Sequence, residues 1–197
     1  VSQFARPSGP VRVQDGDIYV AHQGAKAVAV YTLAGSKLRT IAVPPEVVYY
    51  TDFVPTSDGR LAFMDNRNDA IYFVDSTGRY ICRVDMGQEP DRGLQNTDAV
   101  VVENRLIVSE NGRKQLLAID LDSYEVSVFR DLWRLPGPWL GAITYAEGAF
   151  YICTPNTVFS FVAADAQEQQ VAALPEGMRN ITGIAYDAGR LFVTING

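Results

Sequence analysis

Apolar residues in this chain come in short runs of about five, each closed by Gly, Asn, Asp or Ser, and no stretch carries a sustained helical period. The segment 58–84, DGRLAFMDNRNDAIYFVDSTGRYICRV, shows the pattern most clearly. Residues 60–64 form one run. The polar cluster Asp65-Asn66-Arg67-Asn68-Asp69 interrupts it with side chains that hydrogen-bond their own backbone. Residues 70–74 form a second run, rich in the aromatic and β-branched types that suit a pleated surface. Ser76-Thr77-Gly78 is a turn, and 80–84 is a third run. Each is long enough for a strand and too short for a helix. The apolar stretch 50–55 supplies a fourth strand ahead of them.

The same unit returns. Asp17-Ile18-Tyr19-Val20, Arg60-Leu61-Ala62-Phe63, Arg105-Leu106-Ile107-Val108, Ala149-Phe150-Tyr151-Ile152 and Arg190-Leu191-Phe192-Val193 each follow a tight-turn pair, and they start 41 to 45 residues apart. Four short strands per period in the low forties mark the blades of a β-propeller. The predicted fold is therefore all-β, a single propeller domain over 1–197 with antiparallel blades at 7–43, 44–84, 93–129, 138–173 and 179–197. The last repeat has two strands. Residues 1–6 have no place in the first blade, and they are expected to pair into the last one and close a five-bladed ring, since an open edge invites aggregation. The alternative is a piece of a larger propeller, such as a six-bladed one.

Composition narrows the function. Of 197 residues, 47% are hydrophobic and 20% charged, as in a globular domain. A net charge of −6 argues against a nucleic-acid partner, which requires clustered Lys and Arg. No apolar run is long enough to span a membrane as a helix, so membrane insertion is not expected. The start at Val1 rather than Met fits removal of a leader or an expression tag. The expected location is secreted, periplasmic or at the cell surface. Cys82 and Cys153 fall in blades that are not neighbours, and they read as two buried thiols rather than a bridge.

The segments DGDIYVAHQGAKAVAVYTLAGSKLRTI, DGRLAFMDNRNDAIYFVDSTGRYICRV and ENRLIVSENGRKQLLAIDLDSYEVSVF resemble blades of the NHL-repeat and six-bladed-type propeller superfamily, which includes the regucalcin-like lactonases. The likeness extends over nearly the whole chain and is one of fold. Members of this superfamily include binding modules, scaffolds, lactonases and lyases, so a chemistry does not follow. The five units counted here are fewer than the six usual in the family, and the regucalcin-like ligand set has no residue-by-residue match.

The strand order implied by that resemblance brings the blade-to-blade loops and the second-to-third-strand loops to one face. It would collect Tyr49, Tyr50, Asp52, Asn96, Asp98, Trp139 and Asn180 with His22, Asp65, Asn66, Glu110, Asn111 and Asn156. One reading places calcium or magnesium among Asp52, Asp65, Asp98 and Glu110, which occupy equivalent positions in sister blades and offer hard oxygen ligands. The competing reading makes the same carboxylates caps for backbone N–H groups. A second set, Tyr49, Tyr50, Trp133 and Trp139 with the amides of Asn96 and Asn180, could stack and hydrogen-bond a sugar or an extended peptide. The competing reading has the tryptophans filling the joint between blades 3 and 4.

Nucleophilic catalysis has little support. His22 is the only histidine, and it sits where sister blades carry Asp65 and Glu110. No G-x-S-x-G, P-loop or Cys/His cluster occurs. Asn180-Ile181-Thr182 matches a glycosylation sequon. The expected function is a non-catalytic module or scaffold binding a protein, peptide or carbohydrate on the loop face, without a cofactor. The alternative is a hydrolase or lactonase dependent on calcium or a similar cation.

Overall fold

The computed structural model describes residues 10–22, 26–48, 50–65, 68–86, 96–164, 167–178 and 180–195. The pairing expected for 1–6 lies outside them. Contacts along the chain group it into two compact units, Val1–Gly93 and Leu94–Gly197.

The first unit holds two four-stranded antiparallel meanders. One is β1 (Val11–Gln14), β2 (Asp17–His22), β3 (Ala27–Thr32) and β4 (Lys37–Ala42); the other is β5 (Asp52–Pro55), β6 (Leu61–Asp65), β7 (Ala70–Val74) and β8 (Tyr80–Asp85). The second unit holds two more meanders. These are β9 (Asn96–Val102), β10 (Arg105–Glu110), β11 (Gln115–Asp120) and β12 (Val126–Asp131), then β13 (Ile143–Ala146), β14 (Ala149–Cys153), β15 (Thr157–Val162) and β16 (Gln169–Ala173). A two-stranded sheet of β17 (Ile181–Asp187) and β18 (Arg190–Ile195) completes it. The fold is all-β, built of propeller blades, as the repeat predicts. Among the described residues no helix is long and apolar enough to cross a membrane.

Turn chemistry explains the register. The pairs Asp15-Gly16, Glu147-Gly148 and Ala188-Gly189 all have positive φ at both positions, as the two-residue hairpin turns matched to strand twist require. The turns from third to fourth strand are longer. In blade 2, Gly78 N donates to Asp75 O at 3.0 Å and Asp75 N to Arg79 O at 2.9 Å, while the Asp75 carboxylate accepts from Thr77 N at 2.8 Å and Thr77 Oγ1 at 2.6 Å. The donated Thr77 bonds hold the Asp75 carboxyl below its ordinary pKa.

Every four-stranded blade also carries a register shift between its third and fourth strands. In the first unit the shift adjoins the turn; in the second it lies at the far end of the strand pair. Such irregularities bend an outer strand and raise its twist.

Burial is deepest in the middle strands and least in the fourth. β6 and β7 are buried throughout, whereas β8 is half exposed and β16 fully exposed. Sheets packed on both faces leave no solvent side to their middle strands, so those strands read as unbroken apolar runs rather than alternating ones. In the first unit Phe53, Phe63 and Tyr72 meet Val28, Val30 and Ile41 in one core. Tyr50 sits edge-on to Phe63 with ring centroids 5.0 Å apart. In the second unit Ile107, Leu116, Leu140, Ile143, Phe150 and Phe161 share a core, and Cys153, Val158 and Ile181 anchor the two-stranded sheet.

Candidate functional site

The carboxylates singled out in the sequence are each engaged by donors of the chain. In the first unit Asp52 Oδ1 accepts from Phe53 N at 2.7 Å, and its Oδ2 is ion-paired with Arg12 of the adjacent blade. Arg12 Nε also donates to Phe53 O at 3.2 Å. Asp65 is fully buried and accepts from Asn68 N at 3.0 Å and Asn68 Nδ2 at 2.7 Å. Tyr50 is buried with its ring in the core, and burial raises its phenol pKa. Tyr49, Asn66 and the side chain of Asn96 lie outside the described residues. His22 ends β2 half-buried.

In the second unit Asp98 joins two blades. Its Oδ1 accepts from Ala99 N at 2.8 Å, and its Oδ2 accepts from Ile143 N at 3.0 Å. Ser109 is buried beside it. Asp98 N donates to Ser109 Oγ at 3.2 Å, and the hydroxyl proton has Asp98 O at 3.1 Å and Gly141 O at 3.3 Å within reach. Glu110, one residue on and also buried, caps the following turn by accepting from Gly112 N and Arg113 N. Among the described residues, no three His, Cys, Asp or Glu side chains gather as a metal would require.

Around this buried polar joint lies a cluster of loops. The link 132–140 between β12 and β13 is fastened to the β10–β11 turn at several points. Leu132 N donates to Lys114 O at 2.8 Å. Lys114 Nζ donates to Leu135 O and, at 2.9 Å, to Gly137 O. Leu140 N donates to Asn111 Oδ1 at 2.5 Å. That contact fixes the amide, because only its oxygen can face an N–H. Among the described residues, buried Asn111 Nδ2 then has no hydrogen-bond partner, a cost of about 1–3 kcal/mol unless an acceptor arrives. Burial of the Lys114 ammonium lowers its pKa.

The two tryptophans of the link differ. Trp133 is 64% exposed and has the Arg134 guanidinium 5.0 Å from its ring centre. Trp139 is half-buried, and it lies over Gly141, where a Cβ would stand 3.1 Å from Trp139 Cζ3 and 3.3 Å from Cys153 Cβ. Trp139 thus fills a joint, as one reading of the sequence had it, and Trp133 does not. Asn180 is exposed at φ +64°, and Ile181 N beside it donates to Pro155 O at 3.0 Å. Asn111, Lys114 and Gly141 are the residues sequence reasoning left unused or unweighted. Their importance comes from contacts of long sequence separation.

The cysteines part company as well. Neither is in a disulfide, Cys153 is buried and Cys82 is half-buried, which corrects the expectation of two buried thiols. Burial, and then the charge of Asp98, pushes the Cys153 thiol up to about 12. We expect native protein to take up one equivalent of iodoacetamide, at Cys82, and unfolded protein to take up two. Peptide mapping by mass spectrometry checks this, and native labelling at Cys153 would contradict the burial.

No protein-family model and no curated protein sequence matches the chain. Solved structures do match its fold. A catalytically inactive virginiamycin B lyase from Staphylococcus aureus with quinupristin superposes with a TM-score of 0.71 at 17% identity, covering 95% of this chain and 62% of the lyase. A streptogramin B lyase gives 0.70 at 18% identity, over 97% of this chain and 64% of that one. A member of the duf4221 family from Bacteroides vulgatus gives 0.61 at 9% identity, over 90% and 67%. The chain therefore spans under two thirds of the length of the two lyases it resembles. At these identities the likeness is one of fold.

Proposed function

We propose that the chain is a binding module of the NHL-like propeller type, secreted, periplasmic or at the cell surface. It would take an extended peptide or a carbohydrate on the loop cluster of its second unit. The observation that carries this reading is Trp133, a large aromatic ring 64% exposed on a link that Lys114 and Asn111 hold in place. A fixed aromatic face offers contact area at low entropic cost, and peptide and sugar ligands both use such faces. Exposed Asn180 adds a hydrogen-bonding amide to the same loop cluster, where Ile181 N donates to Pro155 O and Pro155 lies against Gly137 of the link. The fold likeness to a virginiamycin B lyase with quinupristin is compatible with ligand binding on this scaffold, and the carboxylates engaged by donors of the chain give a hydrolase reading no added support.

The test is a combined glycan and peptide array probed with the wild-type chain and with Trp133→Ala. The variant should keep the wild-type melting temperature, because little of the ring is buried. It should lose about tenfold in affinity for the wild-type hits, the worth of one good aromatic stack. Hits retained in full by Trp133→Ala, or an array with none, would overturn the proposal.

A further inference from the structure

A cavity of about 200 Å³ opens at the other end of these strands, where β9 turns into β10 and β13 into β14. Its walls are Val102, Ile107, Phe129, Tyr145, Phe150 and Ala163, and Glu103 and Arg105 line it too. The aromatic walls form one packed group. Phe129 lies 5.2 Å and Tyr145 4.7 Å from Phe150, ring centre to ring centre, and Phe150 stacks on Phe161 at 5.2 Å. Behind Phe161 stands the Arg130 guanidinium, 4.2 Å from its ring centre and bound to Glu168 at 2.7 Å. The wall is thus braced from outside, and Phe150 is held in the core. Glu103 and Arg105 are exposed, and among the described residues neither is in an ion pair.

We propose that this cavity binds a small aromatic ligand carrying both an ammonium and a carboxylate, that is, a free aromatic amino acid or a compound of that shape and charge. Size limits the apolar part. A dry apolar cavity near 150 Å³ accepts benzene, so this one takes a single ring with a short substituent. Edge and face contacts with Phe129, Tyr145 and Phe150 suit another ring better than an aliphatic chain. Charge then selects the polar end. Arg105 presents a planar donor fork to a carboxylate, and Glu103, two residues away across the same turn, accepts an ammonium. A ligand with only one of those groups leaves the other side chain facing a like charge or nothing. The site is separate from the loop cluster around Trp133, because it lies at the opposite ends of β9, β10, β13 and β14.

Calorimetry and NMR titration of the intact chain with phenylalanine, phenylacetate, phenethylamine and toluene test the proposal. Phenylalanine should saturate with shifts at the cavity residues and bind more tightly than the other three. Arg105→Gln and Glu103→Gln should each weaken phenylalanine about three- to fivefold, the ordinary worth of a solvent-exposed ion pair. Arg105→Gln should not weaken phenethylamine, whose ammonium gains nothing from a second cation. Ala163→Trp, a substitution at an exposed position that fills the mouth, should abolish binding of all four at an unchanged melting temperature. No saturation by phenylalanine up to its solubility, shifts away from the cavity, or equal affinity for phenylalanine and toluene would each overturn it.

Discussion

Asp98→Ala will lower stability by about 3 kcal/mol, the cost of leaving buried donors without an acceptor. In a chain of this size that is a fall of roughly 6–12 °C in melting temperature. The reason is its position. One oxygen holds Ala99 N of its own strand and the other holds Ile143 N of the next blade. Ile143 is only 3% exposed, so water cannot replace the lost acceptor. Asp98→Asn keeps one acceptor oxygen and should lose about half as much.

The same pair of variants decides between two roles for the carboxylate. If Asp98 were chiefly a cation ligand, calcium would raise the wild-type midpoint, a chelator would lower it, and Asp98→Asn would fall as far as Asp98→Ala. With both oxygens already aimed at backbone N–H groups, we expect the wild-type midpoint to be the same in millimolar calcium and in chelator, and the Asn variant to fall between wild type and Ala. A calcium-dependent rise lost in Asp98→Ala would reverse this assignment. The thiol of Cys153 offers an independent readout, because the Asp98 charge contributes to its raised pKa. Removing that charge should bring the thiol part of the way down.

These contrasts show what the chain discloses in one dimension. Strand positions were legible because a middle strand packed on both faces must be apolar throughout, and because turn pairs such as Glu147-Gly148 recur every 41 to 45 residues. The roles of the acids were not. Asp52 and Asp98 occupy the same place in their blades. One pairs with Arg12, 40 residues upstream, and the other caps Ile143, 45 residues downstream. No local pattern separates those outcomes. Trp133 and Trp139 are likewise six residues apart in one Pro/Gly-rich link, yet one ring lies half-buried over Gly141 and the other is 64% exposed. The cavity was illegible for a different reason. Its walls come from two blades, mostly from their strands, and only the packing of those sheets makes a space of them. The shifts between third and fourth strands also left no sequence mark, since they depend on how an outer strand must bend.

Gly78→Ala will be the costliest small substitution in the first unit, at about 3 kcal/mol or more, where Gly59→Ala will cost about 1 kcal/mol. Sequence alone makes the two glycines equivalent, since each ends a hairpin turn. Their backbones agree, at φ +89° and +84°. Any L-residue is strained there, and that strain is common to both variants. Their surroundings differ. A Cβ at Gly59 would meet Ser76 Cβ at 3.6 Å, an ordinary contact. A Cβ at Gly78 would stand 2.5 Å from Ala42 O and 3.1 Å from Ala42 N. That neighbour is backbone and cannot turn away like a side chain, and Ala42 is paired with Ala27 at the edge of its sheet. Relief therefore requires β4 to move from the β8 turn, which loosens the packing of Ile41 in the shared core. Denaturant melts of the two variants measure the difference directly. It should appear as a lower midpoint for Gly78→Ala with an unchanged slope. Equal midpoints would mean that the two blades do not approach each other at this turn, and that the positive φ accounts for the whole cost.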